Sequence, residues 1–128
     1  MGVSETTFAK ELYCNYDQLN MMKRCGMYMG IHGYDHYWLN NLCESQLEKD
    51  INYALESMDG IISPKSWVMC YPYGSSSTQV VNQIKQKGCK LGLTTEVNYC
   101  DASSDKYLLG RFDTNDFPPK SSKYLEFL

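Results

Sequence analysis

The sequence lacks several features that would assign it to a common functional class. No apolar run approaches the roughly 20 residues that a membrane-spanning helix requires. Residues 1–5 have neither the basic nor the apolar part of a signal peptide, which favours a cytoplasmic location. Twelve Lys and Arg against 15 Asp and Glu give a formal net charge of −3, without a basic stripe. The charge therefore argues against nucleic acid or an anionic membrane as the ligand.

The sequence also has no Cys-x-x-Cys pair, although it contains six cysteines. This spacing excludes a zinc ribbon and a thioredoxin-like redox pair. We expect most of the six to be buried free thiols. A disulfide framework is the less favoured alternative, since no secretory leader is present.

What is present is an alternation of amphipathic helices and short apolar runs. Apolar residues spaced three and four apart predict helices over residues 8–25, 44–58 and 78–87. Apolar runs predict strands over residues 27–31, 67–71 and 89–94. Because parallel strands need a long connection, which a helix provides, this order predicts an α/β fold with mainly parallel strands and crossover helices. The length fits a single domain over residues 1–128.

Polar clusters follow two of the predicted strands, at 32–36 and at 72–77. Ligand sites in parallel α/β folds lie beyond the carboxyl ends of the strands, so both clusters suggest one site. His32 and His36 are the only histidines, and their spacing lets both imidazoles bind one ion. From the spacing alone, a pair of surface or core histidines is the favoured alternative. Gly33 stands where the zinc-protease motif needs glutamate, so that motif is excluded.

The two clusters carry a resemblance to a known family. His32-Gly-Tyr-Asp-His36 and Tyr71-Pro-Tyr-Gly74 occur in order, with a helix and the run 87–95 after them. This arrangement resembles polysaccharide deacetylases of the NodB-homology type, in which a His-(Ser/Thr)-x-x-His motif ends one strand and a Pro-Tyr-Gly-type motif ends a later one. The similarity extends from about residue 16 to residue 118 and includes Leu109-Gly-Arg111. It is closest to members associated with bacterial surface-polysaccharide synthesis, including lipopolysaccharide.

The resemblance implies a partial, distorted (β/α) barrel and a metal-dependent hydrolase that removes acetyl groups from N- or O-acetylated sugars. His32 and His36 would be two of three protein ligands of a divalent ion, commonly zinc. An ion held by few ligands keeps an open position for water and polarises the acetyl carbonyl. The substrate would be an acetylated sugar or oligosaccharide.

The resemblance also assigns roles beyond the metal. Tyr73 and Arg111 would be catalytic: the main-chain N–H of Tyr73 stabilises the oxyanion, and Arg111 orients a carboxylate. Tyr71, Pro72 and Tyr73 would bind substrate, with the two rings forming a wall against a sugar. Core packing of the tyrosines and a surface location of the arginine are the alternatives. Asp113 and Asp116 are expected to cap or turn the chain.

Two parts of the family pattern are missing. The Thr-Phe-Asp-Asp-type motif, which supplies the third ligand and the base, has no counterpart, because alanine and lysine follow Thr7-Phe8. No histidine follows His36 to supply the late general acid. We therefore expect a truncated domain that forms a homodimer or takes the missing strand from a partner chain. The alternatives are a non-catalytic carbohydrate- or metal-binding remnant and a structural module that binds no metal.

Overall fold

The computed structural model describes residue 2 and residues 4–125, so positions 1, 3 and 126–128 of the predicted domain lie outside it. Four α-helices and two strands form within this range: α1 (Glu5–Leu12), α2 (Tyr16–Arg24), α3 (Glu44–Ser57), β1 (Trp67–Cys70), α4 (Thr78–Gln86) and β2 (Cys89–Leu93). Single 3-10 turns occupy Leu39–Asn41, Pro72–Gly74 and Thr114–Asp116. None of the helices in the described range has the length and apolar character needed to cross a bilayer.

The strands form a small parallel sheet, to which two further segments add single bridges. Within the pair β1–β2, Met69 lies opposite Gly92. Ile31 bridges to Met69 on one side, and Leu109 bridges to Leu93 on the other, both in parallel. Four chain segments therefore run side by side with their carboxyl ends at one edge. This confirms the α/β class and the parallel sheet with a helical crossover.

The hydrophobic core lies between the sheet and two helices. The buried residues of α3 are spaced three and four apart, and those of α4 likewise face inward: Leu47, Ile51, Ala54, Val80 and Ile84. Burying a large aliphatic side chain contributes about 1.5–3 kcal/mol, so these two stripes hold the helices on the sheet. Both helices match their predicted positions, because periodicity and end signals agree there. Ser77 caps α4 by accepting from the Val80 N–H at 3.3 Å, and Gly88, with φ of 90°, follows its end.

The predicted helix over residues 8–25 is wrong in two respects. It is two helices, because Asn15 starts a new one: its side chain accepts from the Gln18 N–H at 2.9 Å, and the Gln18 side chain accepts from the Asn15 N–H at 2.8 Å. Such a capping box begins a helix and so interrupts the preceding one. The apolar face is also exposed instead of buried, at Phe8 and Leu12 among others. Within the described residues, neither of the two helices buries a side chain.

Two other expectations need correction. The predicted buried strand over residues 27–31 reduces to one bridge at Ile31, and Met27 and Tyr28 are exposed. Ile31 hydrogen-bonds only to β1, through the Val68 carbonyl and the Cys70 N–H. The six cysteines are free, but Cys89 alone is buried; Cys70 and Cys100 are half-buried, and the other three are exposed. The exposed ones precede or follow helices α1 to α3 at positions outside the core.

Replacing Tyr71 with phenylalanine is expected to lower the free energy of unfolding by about 1–3 kcal/mol. Its buried hydroxyl donates to the Tyr107 carbonyl at 2.8 Å, and the variant leaves that acceptor unpaired. Burial also raises the pKa of Tyr71 above the usual 10.0. The neutral phenol therefore contributes fully below pH 10, and this contribution is lost as the pH rises further. Urea denaturation at neutral and alkaline pH measures both effects.

Tyr13→Phe is the matched control, because the Tyr13 side chain is among the most exposed apolar ones. It should leave the free energy of unfolding unchanged at both pH values. Equal stability of Tyr71→Phe and the wild-type chain would contradict the buried hydrogen bond.

Candidate functional site

The carboxyl edge of the sheet collects the residues predicted to be functional. His32 directly follows the bridge at Ile31, and the turn Pro72–Gly74 follows β1 by one residue. Arg111 lies two residues beyond the bridge at Leu109. Parallel segments place their carboxyl ends together, which is why residues distant in the sequence meet here. The structure brings His32, His36 and Tyr73 into direct contact, and Arg111 reaches the adjacent strand end.

The Nε2 atoms of the two histidines face each other at hydrogen-bonding distance. The Nε2 atoms lie 3.0 Å apart, and the ring centroids are separated by 4.7 Å. His32 Nδ1 lies 2.7 Å from the Cys70 carbonyl oxygen. Because a carbonyl oxygen only accepts, Nδ1 carries the hydrogen, and Nε2 of the neutral ring presents its lone pair. The end of β1 thus fixes the tautomer of His32.

Tyr73 holds the other histidine. Its hydroxyl lies 3.1 Å from His36 Nδ1, and its ring stacks on Trp38 at 4.5 Å with an interplanar angle of 4°. The ring is half exposed. Within residues 4–125, the main-chain N–H of Tyr73 has no hydrogen-bond partner. The turn therefore presents one N–H donor and one aromatic face next to the histidines.

His36 and Tyr73 share a strained backbone conformation. Their φ angles are 57° and 58°, and in the described residues no other non-glycine residue has a positive φ. This left-handed region costs an L-residue about 1–2 kcal/mol. Strain of this kind concentrates at functional sites, where the surrounding contacts maintain it. Here the two strained residues hydrogen-bond to each other.

Tyr71 and Pro72 lie in the interior and not at the site surface. Both side chains are almost completely buried, and Tyr71 continues the inward alternation of Trp67 and Met69 along β1. Side chains two apart on a strand share a face, so Tyr71 faces the core. Their predicted contact with substrate does not fit this burial. Of the three predicted substrate-binding residues, Tyr73 alone is open.

Asp50 is a site residue that the sequence reasoning missed. Its side chain is 4% exposed, and its two oxygens accept from the N–H groups of Tyr34 at 3.2 Å and Asp35 at 3.0 Å. These N–H groups belong to the loop between the two histidines, so α3 holds that loop. Gly33 allows the close packing, because a Cβ there would lie 3.2 Å from Asp50 Oδ2. The sequence does contain a signal for Asp50, because this acidic residue lies on the inward-facing side of α3, one position before Ile51.

Trp38 was missed as well, although an aromatic residue two positions after His36 was a usable signal. Its flat stacking on Tyr73 joins the histidine segment to the turn after β1. The stack limits the rotation of the Tyr73 ring, because aromatic pairs favour a narrow range of arrangements. Trp38 therefore positions the group that holds His36.

Arg111 spans the ends of both strands. Its Nε donates to the Thr94 carbonyl at 2.9 Å, and one terminal nitrogen lies 3.9 Å from Cys70 Sγ. Since the Cys70 carbonyl also binds His32, the arginine and the histidine meet at the same residue. Asp113 and Asp116 cap the last 3-10 turn, as expected, and the hydrogen bond from the Asn115 N–H lowers the pKa of Asp113.

The histidine pair fits part of a zinc site. Tetrahedral zinc with Zn–N bonds of about 2.0–2.1 Å separates two ligand nitrogens by about 3.4 Å, close to the 3.0 Å observed. Each ring also engages a polar group through its other nitrogen, as is usual for metal-binding histidines. The described residues contain no cluster of three or more His, Cys, Asp or Glu that could hold a metal. The fit therefore extends to the two histidines and to no third side chain of the described residues.

Comparison with known proteins gives a family and a fold. A family model described as polysaccharide deacetylase matches residues 2–92. Among solved structures, the chain is similar to that entitled "Structure of IcaB from Ammonifex degensii", with a TM-score of 0.62 and 23% identity over 82% of this chain. That match covers 50% of the IcaB chain, so our chain spans about half its length. At this identity the likeness shows the fold alone. No curated protein matches the chain significantly.

Proposed function

Because the chain belongs to the polysaccharide deacetylase family, we propose that it removes acetyl groups from N- or O-acetylated sugars with the help of a divalent metal ion, zinc. The observation that carries the proposal is the convergence of His32 Nε2 and His36 Nε2 beside the Tyr73 turn. When bound, such an ion supplies Lewis-acid chemistry, which polarises a carbonyl group and makes water more acidic.

In this proposal the histidines hold the ion, and their neighbours fix the rings. The Cys70 carbonyl keeps the hydrogen of His32 on Nδ1, so that Nε2 is free to bind. With the ion bound, His36 would carry its hydrogen on Nδ1 and donate it to the Tyr73 hydroxyl, 3.1 Å away, so that the other ring nitrogen would be free to bind. Partners of this kind orient the ligands and raise their basicity.

The N–H of Tyr73 is proposed to donate to the oxyanion that forms as the acetyl carbonyl is attacked. A preorganised donor of this type is worth about 10²–10³ in rate. The left-handed turn and the Trp38 stack hold the donor in place before substrate binds, so no reorganisation is needed. The same stack offers an aromatic surface for the sugar ring. Arg111, fixed by the Thr94 carbonyl, is proposed to orient a carboxylate at this edge.

The third ligand and the base are proposed to come from residues other than those described. The sheet edge at Ile31 has no partner on its outer side within residues 4–125, and apolar side chains of α1 and α2 are exposed nearby in the sequence. Unpaired edges favour pairing with another chain. We therefore include in the proposal a second copy or a strand-completing partner that extends the sheet toward a barrel, and a role in bacterial surface-glycan metabolism.

Acetate release tests the proposal directly. The zinc-loaded protein is incubated with the β-1,4-linked pentamer of N-acetylglucosamine and with acetylated xylan oligomers, and acetate is measured by a coupled enzyme assay. If a second copy completes the site, we expect release from at least one substrate and background levels in His36→Ala, with Tyr13→Ala as the control that retains activity. Release that persists in His36→Ala would contradict a role of the histidine pair.

One observation favours a second candidate, a non-catalytic carbohydrate-binding domain. No third metal-binding residue lies beside the histidines in the described part of the chain. This candidate predicts that the pentamer binds without any acetate release. Titration calorimetry on the same protein measures the binding, so the two assays together separate the candidates.

A further inference from the structure

A second concave surface lies beside the histidine loop. It is a cavity of about 390 Å³ between residues 34–37 and one face of α3. Its lining includes Tyr34, Asp35, Tyr37, Gln46, Lys49 and Tyr53. The volume falls within the range of small-molecule sites, about 300–1,000 Å³. We call this cavity the tyrosine cavity.

One helix face builds the outer wall of the tyrosine cavity. Gln46, Lys49 and Tyr53 follow each other at spacings of three and four on α3, so they share one face. The core stripe of the same helix, with Leu47 and Ile51, points elsewhere. The packing of α3 on the sheet therefore fixes the wall, and ligand binding would not have to order it.

Three half-exposed tyrosines line the tyrosine cavity. Tyr34, Tyr37 and Tyr53 are 55%, 48% and 43% exposed. The rings of Tyr34 and Tyr53 meet edge to face with centroids 5.5 Å apart, and Lys49 Nζ lies 5.5 Å from the centre of the Tyr53 ring. Clustered exposed aromatic surface is typical of binding sites, because it remains apolar while keeping a polar tip.

The lining fits a pyranose ring. A sugar presents C–H groups that pack on aromatic rings and a rim of hydroxyl groups that need hydrogen-bond partners. The carboxylate of Asp35, the ammonium of Lys49 and the amide of Gln46 supply both acceptors and donors. Because Asp35 and Lys49 carry opposite charges, the lining favours a neutral sugar over a polyanion.

The tyrosine cavity and the histidine pair share one loop. Tyr34 and Asp35 lie in the loop that His32 and His36 bracket, and Asp50 binds the N–H groups of both. We propose that the cavity binds a sugar unit of the substrate other than the unit whose acetyl group reaches the histidines. The inference rests on the proposed function and adds a second sugar-binding site, built by Tyr34, Tyr37 and Tyr53, to it.

Tyr53→Ala tests this inference in the full chain. We expect the β-1,4-linked pentamer of N-acetylglucosamine to bind the wild-type protein at least about tenfold more tightly than the monomer, a difference of about 1.4 kcal/mol. Tyr53→Ala should remove most of this gain and leave monomer affinity unchanged. Alanine at an exposed helix position preserves the helix, which circular dichroism verifies. Tyr13→Ala, at an exposed tyrosine outside the cavity, should keep the gain.

Lys49→Met provides a second variant that removes the charge but keeps the length of the side chain. It should also weaken pentamer binding. Equal affinity for monomer and pentamer, or an unchanged pentamer affinity in Tyr53→Ala, would overturn the inference. Acetate release without a preference for chain length would overturn it while leaving the deacetylase proposal intact. Conversely, the wild-type protein could bind the pentamer without releasing acetate, and Tyr53→Ala could weaken that binding. This result would support sugar binding in the tyrosine cavity and contradict the proposed deacetylase activity.

Discussion

The double variant His32→Ala, His36→Ala is expected to lose the zinc that the wild-type chain retains after dialysis against micromolar zinc. In the wild-type chain the two Nε2 atoms face each other 3.0 Å apart, and the Cys70 carbonyl fixes the tautomer of His32. Alanine removes both nitrogen donors, and the described residues contain no cluster of three metal-binding side chains to replace them. Elemental analysis of the dialysed protein should change from a stoichiometric amount of zinc to background.

Free thiols are the main source of a false result in this experiment. Cys14, Cys25 and Cys43 are exposed, and a hydrogen bond from Ser45 lowers the pKa of the Cys43 thiol, which favours the zinc-binding thiolate. The control is therefore a triple serine variant at these positions, which should retain the zinc. Equal zinc in the wild-type chain and the double histidine variant would remove the metal site from the proposal. Zinc lost in the serine variant would assign the binding to the thiols.

The second half of the fold could be predicted from sequence, because local signals agree there. For α4, apolar spacing, the Ser77 cap and Gly88 all indicate the same boundaries. At the N-terminus the same apolar spacing gave a wrong result, since a face can be apolar without having a sheet to cover it. The capping box at Asn15 was readable in the sequence, as Asn followed by Gln three residues later. This pattern marks the start of a second helix, which the prediction from apolar periodicity alone did not take into account.

The site was predictable in part, and the limit was the distance along the chain. His32, His36 and Tyr73 were predicted because both family motifs are present in the expected order. The contacts of Asp50 with the histidine loop span 15 and 16 residues, and the Trp38–Tyr73 stack spans 35. Local signals could mark Asp50 and Trp38 as candidates, but they could not identify these distant partners. The burial of Tyr71 was readable, because Trp67, Met69 and Tyr71 alternate along one strand face. An aromatic residue at the end of a strand can therefore be assigned to a binding site only after the alternation along the strand has shown which face its side chain lies on.

Asp50→Ala is expected to weaken zinc binding by about 10–100-fold, although Asp50 does not touch the ion position. The carboxylate accepts two N–H groups from the loop that spaces the histidines, at 3.2 and 3.0 Å. Without it, that loop loses its anchor on α3, and the two rings no longer converge in a single arrangement. The free energy of unfolding should fall by about 2–4 kcal/mol, since two hydrogen bonds to a charged acceptor are lost. Competition with a fluorescent zinc chelator measures the affinity, and urea denaturation measures the stability.

Two further variants separate positioning from a general loss of stability. Asp50→Asn keeps one acceptor oxygen and should recover part of the zinc affinity, whereas Glu48→Ala removes an exposed acid from the same helix and should change neither quantity. Glu48 forms a surface ion pair with Lys87 at 3.2 Å, and such pairs contribute little. If Asp50→Ala lowers stability but binds zinc as tightly as the wild-type chain, Asp50 only packs the loop. If Asp50→Ala lowers both the zinc affinity and the free energy of unfolding, and Asp50→Asn restores part of the zinc affinity, then α3 sets the geometry of the histidine pair. The packing of α3 in the core would then determine the geometry of the site.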